Sequence, residues 1–70
     1  MKYREVADRL RKLGCEYVRP GSGSHRIWWN PALDRYTTIP DWGGKDIKTG
    51  TLSRILRDLR ISRNEFGKIK

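Results

Sequence analysis

The chain has 70 residues, with 16 lysines and arginines against 8 aspartates and glutamates, so it is long enough for one domain, residues 1–70, and too short for two. The net charge of +8 favours a polyanionic partner, most often nucleic acid, over a basic surface kept for solubility or an anionic membrane. No apolar run reaches the roughly 20 residues of a membrane span, and one histidine with one cysteine excludes an internal disulfide and a zinc site. We expect Cys15 to be a reduced, part-buried thiol in a cytoplasmic protein.

A first helix is predicted over residues 3–13, because apolar side chains such as Val6, Ala7 and Leu10 recur there at helical spacing. Gly14 follows at the position where a glycine often ends a helix. This helix would therefore present one apolar stripe and one charged face.

Three strands are predicted next, over residues 15–19, 25–30 and 36–39. Each contains β-branched or aromatic residues, and each is followed directly by a proline. The first two strands are joined by Gly21-Ser22-Gly23-Ser24, which we expect to be a mobile connection rich in backbone donors. Strands joined by short links form an antiparallel meander.

A second helix is predicted over residues 51–59, where four apolar residues follow helical spacing, with Arg54 and Arg57 on the opposite face. Gly50 and Thr51 would shape and cap its start. The four apolar residues of the second helix are Leu52, Ile55, Leu56 and Leu59. A short last helix is expected after the second one, since Ser62 and Glu65 have the spacing of a capping box.

The predicted fold class is α+β, with the element order α-β-β-β-α and a short C-terminal helix. Two amphipathic helices must bury their apolar stripes, and one face of the three-stranded antiparallel sheet is the surface available to both. The other face of the sheet would stay free. The excess positive charge lies mainly on the helical segments, residues 1–13 and 51–70.

His25 is the one side chain whose unperturbed imidazole moves protons near neutral pH. A phosphate beside it could accept hydrogen bonds from the amides of Gly23 and its neighbours, the Ser24 hydroxyl and the Arg26 guanidinium. RNA supplies its own nucleophile, the 2′-hydroxyl, so an imidazole that removes or returns one proton suffices for catalysis. Such a reaction needs no metal and no cofactor, and DNA would not undergo it.

The order of short motifs along the chain resembles the HicA family of bacterial toxins. The motifs are Gly23-Ser24-His25, Ile27-Trp28 in the strand, Ile39-Pro40 at a strand end, and the run from Gly44 to Leu52 with Ile55-Leu56. The resemblance implies a fold similar to the double-stranded-RNA-binding domain and an endoribonuclease that cleaves mRNA with His25 as its essential histidine. It also implies a HicB-type antitoxin that binds the toxin and hides its site.

The sequence departs from that family at two positions. Many relatives have a second histidine directly after the first, where this chain has Arg26, and another two residues after the strand-ending proline, where it has Trp42. A division of acid and base between two histidines therefore does not carry over. The second proton-transfer group would be water, Lys45, Tyr36 or a group of the substrate.

Lys45 and Lys48 lie in the glycine-rich loop before the second helix, and we expect them to contact RNA phosphates near the helix N-terminus. Strand alternation places Trp28 and Trp29 on opposite faces, so one of them is exposed and could stack on a base or anchor a protein partner. Which of the tryptophans is exposed stays open at this point. The alternative to the nuclease is a non-catalytic RNA-binding or protein-interaction module of the same fold.

Overall fold

The predicted α+β architecture is confirmed by a computed structural model, which describes residues 1–69. Strand β2 has its predicted bounds, and the other elements differ from prediction by one or two residues at an end. The elements in chain order are α1 (Tyr3–Lys12), β1 (Glu16–Pro20), β2 (His25–Asn30), β3 (Arg35–Pro40), α2 (Thr49–Leu59) and α3 (Arg63–Phe66).

The three strands form one antiparallel sheet in the order β1-β2-β3. Trp28 at the centre of β2 pairs with Tyr17 of β1 and with Thr37 of β3. The register between β1 and β2 shifts between Tyr17 and Arg19, whereas the six pairs between β2 and β3 are continuous. The irregularity is therefore confined to the edge strand, where bulges are common.

Both long helices pack on one face of the sheet, as predicted. They contribute Val6 and Leu10 from α1 and Leu52 and Ile55 from α2, all fully buried, to one apolar cluster with Trp28. This arrangement also settles which tryptophan lies inside. Trp28 is fully buried and its indole Nε1 donates to the Tyr3 hydroxyl at 3.1 Å, whereas Trp29 faces the opposite side and Trp42 is exposed.

The start of α2 is where the sequence-based prediction was wrong. The helix begins at Thr49, after Lys48 in an extended conformation, so Gly50 and Thr51 lie inside its first turn and do not cap it. Arg54 also does not simply face solvent. Its guanidinium donates to the Thr38 carbonyl at 3.0 Å, which fastens α2 to the edge of β3, and to Asp58 of the same helix at 3.0 Å.

The short helix α3 confirms the predicted capping box. The Ser62 hydroxyl accepts from the Glu65 amide at 3.1 Å, and the Glu65 carboxylate accepts from the Ser62 amide at 3.0 Å. Phe66 is thereby held in the core. Within residues 1–69, no helix has the length and apolar character needed to cross a bilayer.

Candidate active site around His25

A tight backbone turn presents His25 at the start of β2. The Gly21 amide donates to the His25 carbonyl at 2.9 Å, and the His25 amide donates to the Ser22 carbonyl at 3.0 Å. Both bonds involve only backbone atoms, so the turn does not depend on the imidazole. The side chain itself is exposed.

One hydrogen bond of the imidazole fixes which nitrogen is free. Nδ1 of His25 lies 3.1 Å from the Ser22 carbonyl oxygen. Because a carbonyl oxygen can only accept, Nδ1 carries a hydrogen, and in the neutral ring Nε2 then has the unprotonated lone pair. Nε2 makes no hydrogen bond within residues 1–69. It can therefore accept a proton from a molecule in solvent and return it.

Asp41, the residue after the strand-ending proline, joins the His25 turn to the end of β3. Its amide donates to the Ser24 carbonyl at 2.8 Å, and its carboxylate lies 3.7 Å from the Arg26 guanidinium. Arg26 also donates to the His25 carbonyl at 3.2 Å. The structure thus places an acidic residue, Asp41, beside Ser24 and Arg26. The predicted contacts of Gly23, Ser24 and Arg26 with RNA stay a prediction, as does the catalytic role of His25.

The backbone conformation of the turn favours a glycine at position 23. Gly23 has φ +55°, in the left-handed region that other residues rarely adopt, and a Cβ built there would meet no atom within 4 Å. The amides of Ser22, Gly23 and Ser24 donate to no group within the described chain. Successive free amides around a left-handed residue form a concave surface that favours anions.

Lys45 and Lys48 line a separate depression of about 510 Å³ together with Trp42 and Asp46. Both lysines are exposed, and neither makes a hydrogen bond or ion pair to His25 within residues 1–69. Their link to the site is the chain itself, since the loop that carries them begins at Asp41. The predicted phosphate contacts of the two lysines stay a prediction.

Tyr36 is not placed as a proton-transfer partner of His25. His25 pairs with Pro40, and Tyr36 pairs with Trp29 four residues further along the sheet. At the usual rise of a strand this is about 13 Å, well beyond direct proton transfer. Water, Lys45 and the substrate's own groups stay open as the second proton-transfer group.

Sequence reasoning missed Asp41 because it treated residues 41–50 as one loop. The signal was available in the antiparallel meander. When β2 and β3 pair antiparallel, the residue after the end of β3 must lie beside the residue before the start of β2. Asp41 and Ser24 occupy those two positions. Within residues 1–69, no group of three histidine, cysteine or carboxylate side chains could hold a metal ion.

Comparison with known proteins gives one match. The family model described as "HicA toxin of bacterial toxin-antitoxin" matches residues 3–61, which include all three strands, α1, α2 and the turn of His25. No curated protein and no solved structure matches the chain.

Proposed function

This chain belongs to the HicA toxin family of bacterial toxin–antitoxin systems, and we propose that it is a metal-independent endoribonuclease that cleaves mRNA with His25 as its general acid and base. The observation that carries the proposal is the bond from Nδ1 of His25 to the Ser22 carbonyl. It leaves Nε2 of an exposed imidazole as the proton acceptor.

The proposed reaction uses the 2′-hydroxyl of the RNA as the nucleophile. Nε2 of His25 accepts the 2′-hydroxyl proton while the 2′-oxygen forms a bond to the adjacent phosphorus. The bond from phosphorus to the 5′-oxygen breaks, and that oxygen takes a proton from a water molecule and leaves as an alcohol. The protonated His25 returns its proton to the hydroxide so formed, which restores both the imidazole and the water. The products are a 2′,3′-cyclic phosphate and a free 5′-hydroxyl. A positioned proton-transfer group typically contributes about 10²–10⁴-fold to such a step.

The scissile phosphate would bind at the turn that precedes His25. Two features of the turn support this placement: the free amides of residues 22–24 and the exposed Ser24 hydroxyl. The Arg26 guanidinium would approach the same phosphate from the other face of β2. Arg26 stands where many relatives have a second histidine. A guanidinium cannot act as a base, so its role here would be to offset negative charge on the phosphate. Lys45 and Lys48 would contact neighbouring phosphates.

Membership of a toxin–antitoxin family implies an antitoxin partner. We further propose that this partner is a HicB-type protein and that it prevents RNA from reaching His25. The protein would bind both the mRNA and the antitoxin in the cytoplasm.

The experiment that tests this proposal compares two substitutions of the histidine on an RNA substrate in EDTA. His25→Ala removes the ring but leaves both backbone bonds of the turn. His25→Asn is the matched variant, because its amide nitrogen can still donate to the Ser22 carbonyl but cannot move a proton. We expect cleavage to fall at least about 100-fold in both variants.

Three controls make the result specific. RNA affinity and the free energy of unfolding should be nearly unchanged in both variants. The product of the unsubstituted protein should end in a cyclic phosphate, and a substrate with a single 2′-deoxy sugar should resist cleavage at that site. Retained cleavage by His25→Ala would overturn the proposal, and so would cleavage that disappears in EDTA. RNA binding without any product would favour the non-catalytic module.

A further inference from the structure

The face of the sheet opposite the helices is an uncovered surface that begins at the proposed active site. His25, Ile27 and Trp29 alternate onto this face of β2, and their partners on β3 are the buried Pro40 and the exposed Thr38 and Tyr36. The helices bury the other side of the same strands. Since His25 lies at one end of this face, a polymer that reaches His25 can continue across the sheet.

An ordered aromatic pair lies on this face, about 13 Å from His25 at the usual strand rise. The rings of Trp29 and Tyr36 are near parallel, with an interplanar angle of 21° and centroids 6.1 Å apart. The Trp29 indole donates to Asp34 at 2.9 Å, which holds its ring in place. Tyr36 is 55% exposed and stacks on Trp29 with one side of its ring, so the other side is available to a base.

A groove of about 650 Å³ lies beside Tyr36. Val18, Arg19 and Ile27 line it on one side, and Tyr36 and Thr38 line it on the other together with Arg54 and Asp58 of α2. Arg54 forms an ion pair with Asp58, whereas Arg19 makes no ion pair within residues 1–69. The groove therefore combines a free cation with an exposed ring, the two features by which proteins hold single-stranded nucleic acid.

We propose that this open face binds single-stranded RNA next to the cleavage point, with a base stacked on Tyr36 and the intervening phosphate near Arg19. The inference rests on the proposed function for the direction of the strand, since the scissile phosphate lies at His25. Unstacked bases are what an aromatic platform on a sheet recognises, and such platforms hold roughly two or three bases. A base-paired duplex cannot offer its bases in this way.

The binding test uses a labelled single-stranded RNA of ten nucleotides and proteins that carry His25→Ala, so that no cleavage occurs. Adding Tyr36→Ala should weaken binding by roughly 5- to 150-fold, the loss expected for one stacked base. Adding Tyr36→Phe should restore most of the affinity, because it keeps the ring. Leu33→Ala is the matched control. Leu33 is also 55% exposed, but it lies in the turn between β2 and β3 and not on the groove.

Cleavage kinetics separate this inference from the proposed function. In the otherwise unsubstituted protein, Tyr36→Ala should raise KM for a ten-nucleotide RNA by the same factor, with kcat nearly unchanged. Cleavage of a dinucleotide, which cannot reach Tyr36, should not change. If the protein cleaves both substrates and Tyr36→Ala changes neither rate, the inference about the sheet face is wrong and the proposed nuclease function stands. If RNA binding depends on Tyr36 but neither substrate is cleaved, the proposed nuclease function is wrong and the inference stands.

A protein partner is the competing occupant of the face, and the same variants detect it. If Tyr36→Ala weakens binding of the purified antitoxin but leaves single-stranded RNA binding unchanged, the face docks protein and the inference is wrong. Equal loss of affinity for single-stranded and double-stranded RNA would also overturn it, because stacking on Tyr36 requires an unpaired base.

Discussion

Replacing Asp41 by asparagine should free Arg26 for phosphate without disturbing the His25 turn. The carboxylate is the ion-pair partner of Arg26 at 3.7 Å, whereas the bond to Ser24 uses the backbone amide of Asp41. An asparagine side-chain oxygen can still accept the bond from the Gly43 amide. The substitution therefore changes one charge and keeps the geometry.

The magnitude follows from the exposure of the pair. Both side chains are about 30% exposed (31% for Arg26 and 28% for Asp41), so the ion pair contributes only about 0.2–1 kcal/mol to folding. The stability lost in Asp41→Asn should stay within that range. For RNA binding, one additional phosphate contact steepens the dependence of log K on log salt by about 0.7 for a single strand. Affinity at about 0.1 M salt should then rise roughly fivefold.

The assay is a salt titration of single-stranded RNA binding, carried out on His25→Ala with and without Asp41→Asn. Asp8→Asn is the control, because it makes the same change in net charge on the exposed side of α1. Adding Arg26→Ala should abolish the gain from Asp41→Asn, since neighbouring substitutions that share one interaction are not additive. A salt slope that responds equally to Asp8→Asn and Asp41→Asn would refute a specific phosphate contact by Arg26.

Two further predictions concern titrating groups outside the site. Burial raises the pKa of the Cys15 thiol, so the unfolded chain ionises first and the free energy of unfolding should fall as pH rises above the ordinary thiol pKa of about 8.5. Urea unfolding of Cys15→Ala should show less of this alkaline loss. The Ser62 amide and hydroxyl lower the pKa of Glu65. The contribution of Glu65 to the free energy of unfolding is therefore present above the ordinary glutamate pKa and is lost as pH falls through the lowered value. Amide exchange of α3 in Glu65→Gln should therefore differ from the unsubstituted protein at neutral pH and converge with it in acid.

The strands were predictable because their boundaries are local. Gly21 to Ser24 and Pro31 delimit β2, and Pro40 ends β3, so turn residues alone gave bounds that agree with the structure within one residue. The start of α2, in contrast, is not marked by any turn residue next to it in the sequence. Lys48 precedes the helix in an extended conformation with no side-chain hydrogen bond to mark it. Arg54 was misplaced because a helical wheel contains no information about the edge of a neighbouring sheet.

The exposure of His25 was predictable from the sequence, whereas the hydrogen bonds around it were not. A lone histidine after Gly-Ser-Gly-Ser at a strand start predicted an exposed imidazole, and His25 is exposed. The bond that selects its tautomer depends on where the Ser22 carbonyl points within the turn, which residue types do not determine. The role of Asp41 required the pairing of β2 with β3. Exposure of Tyr36 required knowing that both long helices pack on the other face of the sheet.

The position of His25 and the stability of the core both depend on the register of β2. Arg26, Trp28 and Asn30 face the helices, and a slip of one residue would turn Trp28 to solvent and His25 inward. Two hydrogen bonds oppose that slip: the Trp28 indole donates to Tyr3, and the buried Asn30 amide donates to the Leu59 carbonyl at the end of α2 at 2.8 Å. Loss of a buried hydrogen-bonding partner costs about 1–3 kcal/mol, so these anchors hold the strand without involving the open face. Residues on that face can therefore change with little effect on the core.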